Sequence, residues 1–377
     1  MKPTVKIVDP HADYMEQHEA IKTAIINVAE SGWYLVGKEL DSFETAFAQW
    51  SGNDHAIGVA NGTDALELSL RALGIGQGDA VLTVSHTAVA TATAIVRCGA
   101  TPVFVDIDPA TYTLAPEHLR QVIEQWQQNE TLPLKAIIPV HLYGHPADMP
   151  AIMAIAREFQ LSIIEDCAQA HGAKLSGQTV GTFGDLAAYS FYPTKNLGAM
   201  GDAGAVTTSN KTLAQKVKHL REYGWEQRYV SSLHGGINSR MDEMQAAILR
   251  IKLDALKDKT QRRQAIASQY NEQLGQLPGI TVPKASTEAE HVYHLYVVQV
   301  DHREDLRSKL AEQGIGTGLH YPMPVHLQSA FTAYLPAWLK LPVTEAIMPR
   351  ILSLPMYPQL PVKQMQYVID TLKSLVN

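Results

Sequence analysis

Short apolar runs alternate with segments of helical periodicity between residues 56 and 208. Seven of these runs are candidate strands: AIGVA at 56, AVLTV at 80, TPVFVDI at 101, LKAIIPV at 134, LSIIED at 161, LAAYSF at 186 and AGAVTT at 203. In the first five, apolar residues follow one another instead of alternating with polar ones, which is typical of strands buried on both faces of a mostly parallel sheet. Helical segments such as 64–73 and 149–159 separate them. The pattern predicts a large, doubly wound α/β domain with a mostly parallel seven-stranded sheet.

The C-terminal third has a different pattern. Helical periodicity over 241–274 predicts a long helix that bridges to a second domain, with a boundary near Lys257, so that residues 1–257 and 258–377 form two domains. Beyond the boundary, HVYHLYVVQV from 291 predicts a strand, 304–313 a helix ended by Gly314, and 362–375 a closing helix. This second domain is predicted to be smaller and α+β.

Polar residues follow several of the predicted strands. In doubly wound sheets, ligands bind outside the carboxyl ends of the strands. The segments expected to converge on one crevice are 61–64, 85–87, 141–143, 166–169 and 190–195.

Composition limits the classes of function. The chain has 377 residues with 31 Lys and Arg against 38 Asp and Glu, and its net charge of −7 has the wrong sign for coating nucleic acid or an anionic membrane. No run of about 18 uncharged apolar residues occurs. Cys98 and Cys167 are the only cysteines and have no metal-ligand spacing, so neither a disulfide framework nor a metal site is predicted. We expect a soluble, cytoplasmic protein without a nucleic-acid or membrane partner.

Three segments carry candidate chemistry. Asn61-Gly62-Thr63-Asp64 leads from a strand into a helix, where free amides could bind a phosphate, although an ordinary capped turn has the same sequence. Asp166 is either a loop cap or a carboxylate that keeps a ring nitrogen protonated. Lys195 follows a buried-looking strand, where loss of solvent would lower its pKa and favour a Schiff base over an ordinary surface charge.

A fourth segment, 211–228, has a local excess of positive charge. Its lysines and arginines outnumber its glutamates by three, in a chain that is negative overall. The segment is either a solvated helix face or a patch that binds a nucleotide diphosphate.

Seven motifs follow one another along the chain: NGTDAL, HTAVATATAIVRCGATPVFVDID, PVHLYGHPADM, IIEDCAQAHGA, GDLAAYSFYPTKNLGAMGDAGA, LREYGW and GINSRMDEMQAAIL. Together they resemble the DegT/DnrJ/EryC1/StrS family of pyridoxal-phosphate sugar aminotransferases. The resemblance extends from residue 32 to the HYPMPVHLQ stretch at 320. It implies the aspartate-aminotransferase-like fold, fold type I, and a homodimer in which both chains build each active site.

The resemblance also implies roles at matching positions. Lys195 would bind pyridoxal phosphate through a Schiff base and then move a proton as base and acid, while the cofactor alternates with its pyridoxamine form. Asp166 would pair with the pyridinium nitrogen, and Gln169 would hydrogen-bond the ring oxygen. The phosphate contacts would come from Gly62, Thr63, Ser190 and, from the other subunit, Asn238.

One position departs from the family's pattern. Many relatives place an aromatic residue on the face of the cofactor just after a His-Thr or Ser-Thr pair, and this chain has Ala88 there. His86 is the nearest ring. Stacking on the cofactor and a local hydrogen bond are equally good interpretations of His86.

The reaction implied is transfer of an amino group from an amino acid, glutamate in most relatives, to a nucleotide-linked keto-6-deoxyhexose. HTAVAT and LHYPMPVH favour C3 of a dTDP-3-keto-6-deoxyhexose in deoxysugar biosynthesis, for example that of lipopolysaccharide O-antigens. The residues near the substrate in related loops are Tyr34, Arg221, Tyr223, His320 and Tyr321.

Three alternatives stay open at this point. One is amination at C4 of a 4-keto-6-deoxy sugar nucleotide. A second is sugar dehydration, although related dehydratases have histidine in place of Lys195. The third is a binding protein of the same fold, which we would expect to lack Lys195 or Asp166, whereas both are present.

Overall fold

The computed structural model describes residues 5–284 and 286–376. Its helices are α1 Pro10–Glu16, α2 His18–Ser31, α3 Lys38–Ser51, α4 Gly62–Ala72, α5 Val89–Arg97, α6 Pro116–Asn129, α7 Met149–Phe159, α8 Lys211–Leu220, α9 Glu243–Leu274, α10 Arg303–Glu312, α11 Pro342–Ile347 and α12 Val362–Val376. Its strands are β1 His55–Val59, β2 Ala80–Val84, β3 Thr101–Val105, β4 Leu134–Ile138, β5 Ser162–Asp166, β6 Lys174–Leu175, β7 Gln178–Thr179, β8 Leu186–Ser190, β9 Gly204–Thr208, β10 Trp225–Gln227, β11 Val230–Ser231, β12 Ile280–Thr281, β13 Ala289–Glu290, β14 Tyr296–Val300 and β15 Ile351–Leu354.

The seven apolar runs form one seven-stranded sheet in the order β1-β9-β8-β5-β4-β2-β3. The pairs β8-β5, β5-β4, β4-β2 and β2-β3 are parallel, and β9 is antiparallel to both of its neighbours. Helices pack on both faces, so the predicted doubly wound α/β fold is confirmed. Among the described residues, no helix combines the length and apolar character that a membrane span needs.

The strand predicted from residue 291 is only partly correct, because β14 begins at Tyr296. The preceding residues leave the small sheet and bond to loops of the large one. Val292 donates its amide to the Gly144 carbonyl at 3.1 Å and accepts a hydrogen bond from the Asn196 side chain at 3.1 Å. A sequence pattern cannot distinguish hydrogen bonding to these loops from pairing in a strand, since both arrangements bury the same apolar side chains.

The small sheet, β12-β14-β15, packs with α10, α12 and the second half of α9. Helix α9 passes without a break through Lys257, so the predicted domain boundary lies inside a helix. The N-terminal segment packs beside this sheet, because Val5 forms an isolated bridge with Ile315 and the Met356 amide donates to the Ile7 carbonyl at 3.0 Å. The division into residues 1–257 and 258–377 stays a prediction.

Glu243 connects the start of α9 to the start of α3. Its buried carboxylate accepts hydrogen bonds from the amides of Gly37 at 2.8 Å, Glu39 at 2.9 Å and Leu40 at 3.1 Å. The first turn of a helix leaves such amides without acceptors and carries a partial positive charge, so an anion there stabilises it. Glu243 thereby fixes the exposed segment that precedes α3.

We expect Glu243→Ala to destabilise the protein by roughly 2–4 kcal/mol, because it leaves three amides without their acceptor. Urea denaturation of the purified variant measures this loss. Glu272→Ala is the matched control, since Glu272 is exposed on the same helix, and a change within about 0.5 kcal/mol is expected. A Glu243→Ala variant as stable as this control would contradict the capping role.

Candidate active site

Gly62 begins α4 at the carboxyl end of β1, directly against β8. A Cβ at Gly62 would lie 2.6 Å from the Cβ of Ser190, so only glycine permits this approach. Asn61 caps the helix by accepting a hydrogen bond from the Asp64 amide at 2.8 Å. The amides of Gly62 and Thr63 have no acceptor among the described residues. Two free N–H groups and a partial positive charge therefore lie beside the Ser190 hydroxyl.

Asp166 ends β5, the neighbour of β8 in the sheet. Its buried carboxylate accepts hydrogen bonds from the Thr91 hydroxyl at 2.9 Å and the Ala168 amide at 3.1 Å. Burial raises the pKa of Asp166, and these hydrogen bonds and the charge of Lys195 act in the opposite direction. A carboxylate buried in this way favours a cation as its neighbour.

Glu165, the preceding residue, supports the same strand end from the other face. Its carboxylate accepts hydrogen bonds from the amides of Gly181 at 2.7 Å, Phe183 at 2.7 Å and Gly184 at 2.8 Å, and from His141 at 3.0 Å. The other ring nitrogen of His141 accepts from a backbone amide at 3.0 Å. These bonds occupy both ring nitrogens of His141 and both carboxylate oxygens of Glu165. The two side chains therefore support the fold rather than bind a metal ion.

Lys195 lies in the turn between β8 and β9. The turn is closed by the Ala199 amide, which donates to the Phe191 carbonyl at 2.7 Å, and by the Lys195 amide, which donates to the Tyr192 carbonyl at 2.8 Å. A Cβ at Gly198 would lie 2.5 Å from the Pro193 carbonyl oxygen, so the turn also requires a glycine. A tight turn therefore fixes the backbone from which the Lys195 side chain extends.

The Lys195 side chain is partly buried, and its amine forms no hydrogen bond or ion pair with any described residue. Burial lowers the pKa of Lys195 to about 8, although the Asp166 carboxylate raises it in part. A pKa of about 8 leaves roughly a tenth of the amine neutral at pH 7, and a neutral amine is the nucleophilic form. The predicted lysine nucleophile has the environment that this chemistry needs.

A cavity of about 250 Å³ opens at the Lys195 amine. Its polar wall is lined by Gln169, His294, His320 and Tyr321. Its apolar wall is lined by Ile7, Val8, Leu295 and Met356. The cavity therefore lies between the large sheet, the small sheet and the N-terminal segment.

The polar wall is held by hydrogen bonds between the loops. Gln169 donates to the Tyr321 hydroxyl at 2.9 Å, and the Nδ1 of His320 bonds to the Ser353 hydroxyl at 2.8 Å. Burial, together with the Lys195 charge, lowers the pKa of His320 to about 4. Burial lowers the pKa of His294 well below its usual range, and the Lys195 charge adds to this. Both imidazoles are therefore neutral near pH 7, and the positive charge beside this wall comes from the protonated fraction of Lys195.

His86 does not line the cavity. Its ring is buried against Tyr112 and Tyr143, with both ring centroids 5.8 Å away, and its Nε2 bonds to the Tyr143 hydroxyl at 2.7 Å. Burial lowers the pKa of His86 to about 4. This geometry favours the local hydrogen bond over stacking on a cofactor.

Four other predicted residues lie away from the Lys195 cavity. Tyr34 and Asn238 are exposed. Arg221 and Tyr223 line a separate groove of about 900 Å³. Arg221 is only 5% exposed, and its guanidinium bonds to the Glu44 carboxylate and to the Gly58 carbonyl at 2.9 Å. Both bonds use one guanidinium nitrogen, Nη1, so this pair holds Arg221 in the wall of the groove. Its substrate contact stays a prediction.

The loops expected to converge do so: Asp166, His141 and Ser190 lie at adjacent strand ends, and Tyr143 contacts both His86 and Gln169. The sequence interpretation missed Thr91, which bonds to Asp166, and the N-terminal Ile7 and Val8 in the cavity wall. Nothing in the adjacent sequence marks these residues as part of a site, because a threonine in a helix and two apolar residues near a terminus are common. Tyr143 had one signal, its place at the end of a predicted strand.

Comparison with known proteins identifies the family. A model described as the DegT/DnrJ/EryC1/StrS aminotransferase family matches residues 15–373. The "Erythromycin biosynthesis sensory transduction protein EryC1" of Saccharopolyspora erythraea is 45% identical over 371 residues, which are 98% of this chain and 99% of that protein. The "dTDP-3-amino-3,4,6-trideoxy-alpha-D-glucose transaminase" of Streptomyces venezuelae is 45% identical over 372 residues, 99% of this chain and 96% of that protein.

Among solved structures, the S. venezuelae DesV "in complex with ketimine intermediate" is similar to this chain with a TM-score of 0.95 and 44% identity, covering 100% of this chain and 99% of that one. The similarity extends over both sheets and over the turn that carries Lys195. It confirms the fold and the resemblance that the ordered motifs indicated. This chain therefore belongs to the DegT/DnrJ/EryC1/StrS aminotransferase family.

Proposed function

We propose that this protein is a homodimeric, pyridoxal-phosphate-dependent aminotransferase that moves the amino group of L-glutamate to C3 of a dTDP-3-keto-6-deoxyhexose. The observation that carries the proposal is the partly buried Lys195 amine, with a pKa of about 8, beside the buried carboxylate of Asp166. The transaminase name of the S. venezuelae relative supports the C3 position and the dTDP group.

The residues fit pyridoxal phosphate at three points. The free amides of Gly62 and Thr63 at the start of α4, with the Ser190 hydroxyl, suit a phosphate. Asp166 suits a protonated ring nitrogen, because burial leaves its carboxylate in need of a cation. Lys195 supplies the amine that reacts with an aldehyde. All three groups lie at the carboxyl ends of β1, β5 and β8.

When bound, pyridoxal phosphate supplies an electron sink that stabilises negative charge on the carbon next to the transferred nitrogen. Asp166 keeps its charge in the buried site through the hydrogen bonds from Thr91 and Ala168, and so holds a proton on the ring nitrogen. Lys195 takes and returns the proton at the substrate carbon, since a pKa of about 8 lets the amine act as base and acid near neutral pH. His320 and Tyr321 orient the sugar at the same cavity.

The groove of about 900 Å³ supports a site shared between two chains. It brings together cations and aromatic rings suited to a diphosphate and a base, among them Lys211, Lys218, Arg228, Trp225 and Tyr229. It lies apart from the Lys195 cavity of its own chain. Consecutive exposed apolar residues border it, with Trp33 63% and Tyr34 56% exposed, which is typical of an interface. In the proposed homodimer, this groove and Asn238 form part of the active site that contains the partner's Lys195.

The name of the S. erythraea relative raises the alternative of a regulatory protein. Such a protein has no need for a reactive lysine or a carboxylate that favours a ring cation. This chain has both, with Asp166 buried and Lys195 partly buried and shifted in pKa to about 8, which favours an enzyme.

Incubating the purified protein with a dTDP-3-keto-6-deoxyhexose and L-glutamate should give the 3-amino sugar nucleotide and 2-oxoglutarate in equal amounts. Lys195→Ala should lower this activity at least about 10³-fold, because it removes the nucleophile and the base together. Lys363→Ala is the matched control, since Lys363 is exposed, and should leave the rate unchanged. Mass spectrometry measures both products.

Three results would contradict this assignment. Faster amination of the 4-keto isomer than of the 3-keto isomer would assign the reaction to C4. Loss of water from the sugar without glutamate would indicate a dehydratase. An active Lys195→Ala variant would exclude the proposed mechanism.

The shared site predicts recovery of activity in a mixed dimer. Chains with Lys195→Ala and with Asn238→Ala, each inactive alone at limiting cofactor, should recover about a quarter of the parent activity when co-assembled in equal amounts. About half of the dimers are then mixed, and one of the two sites in each mixed dimer has both residues intact. Mixing Lys195→Ala with Asp166→Ala is the control, since both residues belong to one chain's half of the site, and should recover none. Equal results from the two mixtures would contradict the shared site.

A further inference from the structure

Tyr143 lies at the carboxyl end of β4, between the large sheet and the Lys195 cavity. It is buried and has a left-handed backbone with φ 59°. The next residue, Gly144, has φ 95°, and a Cβ there would lie 2.7 Å from a Val292 methyl group. The loop is therefore pressed against the segment that leads to His294, and its backbone is held in an uncommon conformation.

The Tyr143 hydroxyl connects two loops from distant parts of the chain. It donates a hydrogen bond to the backbone carbonyl of His320, a residue that lines the Lys195 cavity. A hydroxyl that donates to a carbonyl must accept from its other partner, so the Nε2 of His86 carries the proton in their 2.7 Å bond. Hydrogen bonds thus connect His86, in the loop after β2, through Tyr143 to His320. The loop that contains His320 and Tyr321 is residues 319–324.

The backbone of Tyr143 makes a second connection to the same loop. Its amide donates to the side-chain oxygen of Gln169 at 2.8 Å, and the side-chain nitrogen of Gln169 donates to the Tyr321 hydroxyl at 2.9 Å. Tyr143 therefore holds His320 through its hydroxyl and Tyr321 through Gln169. Tyr143 thus connects to both members of the His320-Tyr321 pair, which lines the cavity.

We propose that Tyr143 is a positioning residue that holds His320 and Tyr321 at the Lys195 cavity and so sets the affinity of the enzyme for its keto sugar. The role of His320 and Tyr321 as sugar contacts rests on the proposed function. The attachment of their loop to Tyr143 does not, since it follows from the hydrogen bonds alone.

Tyr143→Phe tests the proposal, because it removes the hydroxyl and keeps the ring. Tyr112→Phe is the matched control: Tyr112 packs in the same ring cluster, with centroids 5.7 Å apart, but its hydroxyl accepts from Gln299 at 3.0 Å and does not reach the loop. The first readout is hydrogen exchange of the holoenzyme at the amides of Gly318 and Val325, which bracket the loop and bond to backbone carbonyls at 3.1 Å.

Exchange at these two amides should accelerate at least about fivefold in Tyr143→Phe and stay unchanged in Tyr112→Phe, because a lost hydrogen bond lowers the cost of local opening. The KM for the keto sugar should rise by a similar factor. The reaction of the holoenzyme with glutamate alone, followed by cofactor absorbance, should stay within about twofold, since it does not use the sugar contacts.

Unchanged exchange in Tyr143→Phe, or equal acceleration in both variants, would overturn the proposal. So would an equal loss in the glutamate and sugar reactions, which is what a merely structural role would give. If Tyr143→Phe does not fold, His86→Leu removes the donor to the same hydroxyl and should loosen the same amides, and unchanged exchange there also overturns it. A parent enzyme that aminates no sugar nucleotide would instead refute the proposed function, and exchange would still decide the role of Tyr143.

Discussion

The active site depends on a partly buried amine, Lys195, that lies near a buried carboxylate, Asp166. Lack of solvent lowers the pKa of Lys195 to about 8 and raises the pKa of Asp166, and each group partly offsets the shift of the other. The hydrogen bonds to Asp166 and the mutual attraction compensate only part of this loss of solvent. The pair therefore favours a ligand that brings a cation to Asp166 and an electrophile to Lys195, while the start of α4 favours an anion.

Much of this arrangement could be predicted from the sequence. Short apolar runs predict all seven strands of the large sheet, and in five of them the apolar residues are continuous, as expected for strands buried on both faces. Parallel strands place their carboxyl ends at one edge, so Asp166 and Lys195 could be brought together from their positions after two such runs. The ordered motifs then assigned these positions to a family, which the comparisons confirmed.

The remaining features depend on contacts between distant residues. Arg221 belongs to a positively charged segment, and its buried partner Glu44 is 177 residues away, so charge pattern alone could not distinguish a substrate contact from a structural pair. Ile7 and Val8 reach the cavity because the N-terminal segment bonds to residues beside the small sheet, Ile315 and Met356. Tyr143 acquires its role from two loops that fold against it, and nothing in its immediate sequence specifies them.

The central claim is that Lys195, in its buried environment, is the amine that binds the cofactor. Treating the protein with pyridoxal phosphate and then borohydride would fix the bound cofactor to its lysine, and peptide mass spectrometry would locate it. The account predicts one modified lysine per chain, at Lys195, with the surface lysines Lys174 and Lys363 unmodified at stoichiometric cofactor. Modification of a different lysine would contradict the account. So would a total modification of the parent protein no greater than that of the Lys195→Ala variant.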